Sequence, residues 1–388
     1  MRGYASTVAG VGSERGRGVA TLTLIADPFP DWEAEAHAAA ARDLARAIAD
    51  TAPRSCSARF LVARGSSVPE FKSPLIRTEQ LPMRAGMLPF AWQSGATARP
   101  LDGEFVHALT PLVPLRSRGD DDGSQTSVTI THSLAWDAPA LLGNSQARLY
   151  RSFVRRAVKL ADVILTPTHA TARVLQEHYG SDLPIQVLQL APPSEFLGSV
   201  DAADRRDVLQ LPPQYALTTA TPDELGRLDW IFDAMLADQA LPPLVVLEGA
   251  DPGLSARAAS DSLPLTFPDA LRGRVFPVRP RELADVGAIV SAALVLLQPQ
   301  AFAGSGYLTL AALSGAVPVL HAEQAATAEL VLDAGISVAS AEAFTAEFRR
   351  LFTEPGTLST LSVLACDRAR GYSWNGAAWQ LWETHANL

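Results

Sequence analysis

The chain has 388 residues, of which 48% are apolar and 19% are charged, and its formal net charge is −9 at pH 7. That length is too great for one hydrophobic core, so the sequence predicts two domains. The apolar fraction argues against a disordered protein, and the negative charge with scattered basic residues argues against nucleic-acid binding. The two cysteines, Cys56 and Cys366, allow neither a disulfide framework nor a cysteine metal clip, which fits a reducing cytoplasm.

Two segments have features that bear on targeting or membrane insertion. Residues 1–18 are rich in Gly, Ser and Arg and lack the apolar stretch of a secretory signal, so we expect a flexible tail. Between Val286 and Ala322 there is no Asp, Glu, Lys or Arg, but Gln298-Pro299-Gln300 and Gly304-Ser305-Gly306 interrupt the segment. Neither apolar piece reaches the roughly 20 residues of a spanning helix. We expect buried strands there, and at most peripheral association with a membrane.

Short β-branched runs alternate with Ala-rich amphipathic stretches in the first half of the chain. This alternation is typical of βαβ units that build a parallel sheet. The predicted strands are Val19–Ala26, Ala58–Ala63, Ser127–Thr131, Val163–Thr166 and Ile185–Leu190, and the predicted helices are Glu33–Thr51, Ser145–Leu160 and Ala170–His178.

Pro192-Pro193 and the polar stretch from Ser199 to Asp207 interrupt the alternation, so we place a domain boundary there. A second series follows, with predicted strands at Tyr215–Thr219, Leu244–Leu247, Val275–Val278, Ala293–Leu297 and Val317–Leu320. We therefore predict an α/β protein with two Rossmann-like lobes, residues 19–195 and 205–372. Residues 373–388 are predicted to form a last amphipathic helix.

The most informative stretch is Ala293 to Leu320, which has the pattern strand, glycine-rich turn, helix, turn, strand. A turn such as Gly304-Ser305-Gly306 at the start of a helix directs unpaired backbone N–H groups and the positive helix end at one point, which suits a phosphate. The same glycines would also serve simply to turn the chain tightly, and the turn alone does not decide between the two interpretations.

Two other patterns match known motifs only in part. Gly304-x-Gly306, followed by a strand ending near Glu323, partly matches a dinucleotide fingerprint, but Thr309 replaces its third glycine. The acidic run Asp120-Asp121-Asp122 is similar to a metal-binding D-x-D, but it lies in a Gly- and Ser-containing loop with no strand before it. We interpret it as a solvated loop and predict no metal site.

The order and spacing of several segments resemble glycosyltransferase family 4. Gly304 and Gly306 take the two glycines of the family's E-G-F-G turn, and Val317-Pro318-Val319 takes the place of its C-G-T-P-V-V turn and strand. Further segments that resemble the family are Thr129–Leu134, Leu310–Leu313, Arg155–Ala157 with Pro167–Ala170, Glu329 with Asp333-Ala334-Gly335, and Tyr372-Ser373-Trp374. The resemblance spans nearly the whole chain outside the tail.

This resemblance implies a GT-B fold, in which the parallel sheets of two Rossmann-like lobes face each other across a cleft and the last helix crosses back to the first lobe. It implies a retaining hexosyltransferase of the cytoplasm that uses a nucleotide diphosphate sugar and no metal or other cofactor. The expected acceptor is a glycan or a lipid-linked sugar in cell-surface polysaccharide or glycolipid synthesis. The first lobe would lie on the acceptor side and the second on the donor side.

The resemblance also implies a set of site residues. His132, at the end of a predicted strand, would contact the transferred sugar, although a histidine there could equally be structural. The expected donor-binding residues are Gly304, Ser305, Gly306, Tyr307 and Arg227. At the positions of the family's two donor-binding glutamates and its phosphate-binding Arg and Lys, the sequence has Ala303, Ala311, Leu225 and Gly226.

These four replacements leave the function open between two classes. Alanine, leucine and glycine side chains neither accept hydrogen bonds nor carry charge, so we expect weak donor binding and little sugar transfer by the chain alone. The alternative is an inactive relative that binds or regulates a partner glycosyltransferase, and an oxidoreductase that binds a dinucleotide is more remote.

Overall fold

The computed structural model describes residues 20–94, 105–115, 124–221, 224–249 and 265–388. The predicted tail of residues 1–18 and the run Asp120-Asp121-Asp122 lie outside these residues. Within the described ranges, no helix is long and apolar enough to cross a membrane. The uncharged segment from Val286 to Ala322 folds instead as parts of two helices and two strands of the second lobe.

Two parallel sheets organise the described residues. The strands of the first sheet are β1 (Thr21–Ile25), β2 (Ser57–Val62), β3 (Ile76–Gln80), β4 (Phe105–Ala108), β5 (Gln125–Thr129), β6 (Val163–Thr166) and β7 (Ile185–Val187). The second sheet comprises β8 (Tyr215–Thr219), β9 (Leu244–Leu247), β10 (Val275–Val278), β11 (Ala293–Gln298), β12 (Val319–Ala322) and β13 (Gly335–Val338). Their spatial orders, β3-β2-β1-β4-β5-β6-β7 and β10-β9-β8-β11-β12-β13, are both of the Rossmann type.

Helices cover the sheets and connect their strands. The described α-helices are α1 (Ala34–Asp50), α2 (Leu88–Ser94), α3 (Leu134–Asp137), α4 (Pro139–Leu142), α5 (Asn144–Leu160), α6 (His169–Tyr179), α7 (Ala202–Val208), α8 (Leu228–Ala237), α9 (Leu283–Val290), α10 (Tyr307–Ser314), α11 (Ala325–Val331), α12 (Ala341–Thr353), α13 (Thr357–Ala369) and α14 (Trp374–Asn387). Short 3₁₀ helices occur at Ala85–Met87, Ser194–Phe196, Glu224–Gly226, Asp269–Leu271 and Leu332–Ala334.

The sequence pattern explains why the strands form where they do. Every residue of β6 and of β9 is buried, as expected for strands with helices on both faces of a parallel sheet. One predicted strand starts later than expected: Val317 donates its amide to Ala312 O at 2.8 Å and so belongs to the turn after α10. The strand begins at Val319, after Pro318, which has no amide hydrogen to donate.

The last helix, α14, packs against the first lobe. The Trp382 indole donates to Ile48 O of α1 at 3.2 Å, and Leu381 is fully buried. Deeper in the first lobe, Ser127 Oγ lies 2.9 Å from His385 Nε2 and 2.8 Å from His107 Nδ1. This buried chain of polar groups, which we call the histidine–serine network, joins α14 to β4 and β5.

A short connection links the lobes and is tied to both of them. Ser194 donates its amide and its hydroxyl to the Asp43 carboxylate of α1, at 2.6 and 3.0 Å. The Arg42 guanidinium contacts Glu195 at 2.7 Å. On the other side, the backbone of residues 195–197 passes directly over Gly287 of α9. The connection is therefore a packed segment with partners on each lobe.

Candidate functional site

A cavity of about 100 Å³ lies between the two lobes, at the carboxyl ends of strands from both sheets. Ligands of open α/β sheets bind at this edge. The first lobe contributes Trp32 and Glu33 after β1, Thr131 after β5 and Thr168 after β6, and the second lobe contributes Thr219, Gln298, Gln300, Phe302 and the turn Ala303–Tyr307. A water needs about 10–15 Å³ of such space, so the cavity has room for a molecule of roughly monosaccharide size.

The wall of this cavity is mostly apolar, and its polar side chains are almost all uncharged. Its polar side chains are mainly threonine and serine hydroxyls and the amides of Gln298 and Gln300. Among its described lining residues, Glu33 is the single charged side chain, and none is Lys, Arg or His. Hydroxyl and amide groups can pair with the hydroxyls of a sugar. A diphosphate, in contrast, would meet no side-chain cation at this wall.

The helix start that was predicted to hold a phosphate is present at this cavity. Gly306 precedes α10 with φ of 83°, a left-handed conformation that suits glycine, and an added Cβ there would lie 2.5 Å from Leu330 Cδ1. This turn directs the Ser305 amide and hydroxyl towards the first lobe. The two donors form an anion cradle, by which we mean the Ser305 N–H and O–H groups at the start of α10.

The anion cradle already holds a carboxylate of the chain itself. Glu33 Oε2 accepts the Ser305 amide at 3.0 Å, and Glu33 Oε1 accepts the Ser305 hydroxyl at 2.7 Å. The approach is close, because a Cβ on Gly304 would lie 2.8 Å from Glu33 Oε1. Burial between the lobes raises the pKa of the Glu33 carboxyl to about 7. Sequence reasoning assigned no role to Glu33, whose contact partner lies 272 positions away.

A second carboxylate makes the converse contact from the second lobe to the first. Glu329 of α11 accepts the backbone amides of His169 and Ala170 at the start of α6, at 2.7 and 3.0 Å. It also contacts His169 Nδ1 at 2.7 Å. Burial acts to raise the pKa of Glu329, but these hydrogen bonds outweigh it and leave that pKa below its usual value. Each lobe thus places a glutamate at a helix N-terminus of the other lobe.

His132 is not among the described residues that line the cavity. Its side chain is buried, its ring stacks on Tyr150 at 4.9 Å, and Nε2 lies 3.5 Å from Asp31 Oδ2. Within the described part of the chain, neither ring nitrogen has a hydrogen-bond partner. A role in contacting sugar stays a prediction.

The segment that was expected to bind phosphate contributes packing at this cleft. The Arg227 guanidinium stacks on the Trp230 ring at 4.8 Å and is not among the described lining residues. Leu225, at the position of the family's arginine, packs with Phe302 against the apolar core of the first lobe. Gly226 lies so close to Thr221 that an added Cβ would be 2.9 Å from Thr221 O.

The two positions of the family's glutamates fall in different surroundings. Ala303 lines the cavity, where a longer polar side chain would reach a ligand. Ala311 is 1% exposed and belongs to the apolar core behind α10. A glutamate at position 311 would therefore be buried among apolar groups, which is costly for a carboxylate. The structure thus leaves Ala303 as the one of these two positions that faces ligand space.

One group in the described residues has the composition of a metal site. The ligand-type atoms of Asp31, His37 and His132 all lie within 4.8 Å of one another and are buried. Two imidazoles and a carboxylate are donors that zinc accepts. The His37 nitrogens, however, lie 3.4 Å from Thr131 Oγ1 and from Tyr307 Oη, so a cation would have to displace one of these contacts. Burial lowers the pKa of His37 to about 4, which leaves that ring neutral.

Comparison with known proteins places the fold. No family model and no curated protein matches the chain. Among solved structures, sucrose-phosphate synthase from Thermosynechococcus elongatus matches with a TM-score of 0.68 and 16% identity over 95% of this chain and 98% of its own. WaaG, a glycosyltransferase of lipopolysaccharide biosynthesis, matches with a TM-score of 0.60 and 18% identity over 93% of this chain and 98% of its own.

A third similar structure is Anabaena HepE in complex with UDP-glucose, with a TM-score of 0.60 and 12% identity over 95% of this chain and 100% of its own. These likenesses extend over both lobes, and at such identities they concern the fold alone. The two parallel sheets and their matches confirm the predicted fold class. The chain therefore has the two-lobed GT-B architecture of glycosyltransferases, with Rossmann-like lobes on either side of a cleft.

Proposed function

We propose that this protein is a glycosyltransferase of family 4 descent that binds a nucleotide diphosphate sugar between its lobes and transfers the hexose with retention of configuration. The observation that carries the proposal is the anion cradle at the start of α10, which opens into a cavity whose polar side chains are mainly hydroxyl and amide groups. This pairing of an anion-binding helix end with sugar-compatible side chains suits a donor that has both parts. HepE, which has the same architecture, was solved with UDP and with UDP-glucose.

In this proposal the residues have separate tasks. The Ser305 and Gly306 amides would hold the diphosphate and stabilise its charge as it leaves. Gln298, held by Thr309 at 3.1 Å, and Gln300, held by Thr219 at 3.0 Å, would position sugar hydroxyls. No metal enters the mechanism. The acceptor would be a glycan or lipid-linked sugar of cell-surface synthesis, and the reaction would take place in the cytoplasm. The acceptor would enter the cleft from the side of the first lobe, residues 19–195.

A second candidate is a protein that binds the donor or a partner glycosyltransferase without transferring sugar. It is favoured by one observation, the absence of any side-chain cation among the described residues that line the cavity. Phosphoryl leaving groups are commonly stabilised by cations, and each charged hydrogen bond is worth about 1.5–3 kcal/mol. Turnover measured with the wild-type protein separates this candidate from the first.

We expect the wild-type protein to bind one member of a panel of UDP-, GDP- and ADP-sugars weakly, and to release or transfer its hexose slowly. Calorimetric titration gives the affinity, and NMR of the product gives its anomeric configuration. Thr219→Trp should reduce that affinity at least tenfold, because an indole at the end of β8 would fill the cavity.

The matched control is Thr360→Trp, at an exposed position of α13, which should bind like the wild type. A wild-type protein that binds no member of the panel would refute the transferase and the donor-binding alternative together. Binding without turnover, with the same loss in Thr219→Trp, would leave the non-transferring candidate.

A further inference from the structure

We propose that Glu33 is a built-in competitor for the donor diphosphate: its carboxylate occupies the anion cradle, and a nucleotide gains that position only by displacing it. The inference rests on the proposed function and adds an affinity-determining residue from the first lobe. It concerns the same two donor groups, the Ser305 amide and hydroxyl, that are best placed to receive a phosphate at the start of α10.

Contact geometry makes the Glu33 carboxylate and a phosphate compete for the two Ser305 donors. Both oxygens of Glu33 are engaged by Ser305, at 3.0 and 2.7 Å. The Ser305 amide has one hydrogen and its hydroxyl has one, so neither donor is left for a second anion. When Glu33 is ionised, the two negative groups would also repel each other, and no cationic side chain among the described lining residues would reduce that repulsion.

The loop that carries Glu33 is held in place by its own contacts. Asp31 Oδ1 accepts the Glu33 amide at 3.0 Å, and Phe29, fully buried, donates its amide to Thr110 Oγ1 at 3.0 Å. Gln146 donates to Pro30 O at 3.0 Å. These bonds fix the backbone from which the carboxylate reaches across the cleft, so the contact is a feature of a folded loop.

Glu33 has no other structural task in the described residues that its removal would disturb. It precedes α1 at the N-cap position, but its side chain caps none of the α1 amides. The carboxylate bonds to the second lobe instead of to its own helix. Shortening or neutralising the side chain should therefore leave α1 and the first lobe folded.

Glu329 provides a matched control on the same cleft. Like Glu33, it spans the two lobes and binds a helix N-terminus, but it acts at α6, outside the anion cradle. A variant at Glu329 weakens contact between the lobes without freeing Ser305. Comparing the two variants separates competition for the cradle from general loosening of the closed form.

The test measures the affinity of UDP, uridine and inorganic pyrophosphate for wild type, Glu33→Ala, Glu33→Asp and Glu329→Gln by calorimetry. We expect Glu33→Ala to raise UDP and pyrophosphate affinity at least tenfold, equivalent to about 1.4 kcal/mol. Uridine, which has no phosphate, should bind all four proteins alike. Glu33→Asp, one methylene shorter, should give the same direction of change, and circular dichroism checks that each variant is folded.

The outcomes distinguish this inference from the proposed function. Equal UDP affinity in wild type and Glu33→Ala would overturn the competitor role while the donor site stands. If Glu33→Ala bound pyrophosphate more tightly than the wild type but neither protein bound UDP, the competitor role would be supported and a nucleotide donor would be excluded. An equal gain in Glu329→Gln would assign the effect to lobe opening and overturn the inference, as would a folded Glu33→Ala that binds neither anion.

Discussion

We expect the protein to lose stability steadily as the pH falls below about 6.5, because two histidines of the histidine–serine network are buried in their neutral form. Burial lowers the pKa of His107 to about 3 and that of His385 to about 4. The unfolded chain takes up protons near pH 6.5, whereas the folded chain does not. Stability is therefore complete above pH 6.5 and is lost as the pH falls towards 4, by about 1.4 kcal/mol per pH unit for each histidine.

Urea unfolding at pH 7.5, 6.5 and 5.5 measures this slope. His385→Gln removes one titrating ring while its amide can still reach Ser127, so the stability lost between pH 7.5 and 5.5 should be smaller by about 1.4 kcal/mol in total. Thr360→Gln, at an exposed position of α13, changes no titrating group and should leave the slope unchanged. The raised pKa of Glu33 acts in the opposite direction and is common to all three proteins. A slope that does not change in His385→Gln would mean that this ring is not buried as a neutral group.

We expect Gly287→Ala to destabilise the protein by about 1–3 kcal/mol, although alanine ordinarily favours a helix. An added Cβ would lie 2.5 Å from Glu195 O and 2.5 Å from Leu197 O, and both are backbone atoms of the connection between the lobes. Because Asp43 and Arg42 hold the connection from the other side, it cannot simply move away. Thermal and urea unfolding measure the loss.

Gly86→Ala is the matched control for Gly287→Ala. Nothing lies within 4 Å of a Cβ added at Gly86, and its φ is not left-handed. Its stability should stay within about 0.5 kcal/mol of the wild type. If Gly287→Ala were as stable as this control, the connection would have to shift freely on α9.

Much of the fold follows from the sequence because parallel strands buried on both faces are continuous apolar runs. The predicted bounds of Val163–Thr166, Tyr215–Thr219 and Leu244–Leu247 coincide with β6, β8 and β9. The strand Ile76–Gln80 was missed because it lies at a sheet edge and three of its five residues are charged or amide-bearing. The division into domains at 195 and 205 stays a prediction.

The sequence predicted one part of the candidate site and missed the other. The start of α10 was predicted from its glycines, since a helix N-terminus is a local feature of the chain. Its occupant was not, because Glu33 and Ser305 meet only when both lobes have folded. A carboxylate at the end of the loop after β1 is the local signal that could have indicated this contact. The roles of His132 and Arg227 stay predictions.

Leu225 and Phe302 should make the opening of the cleft depend on temperature. Both belong to the second lobe yet pack against the apolar core of the first, so any separation of the lobes exposes them to water. Exposure of apolar surface carries a positive heat-capacity change. The free energy of opening should therefore depend on temperature along a curve, as the free energy of unfolding does. The lobes should be most completely closed at one temperature and should open more easily above and below it.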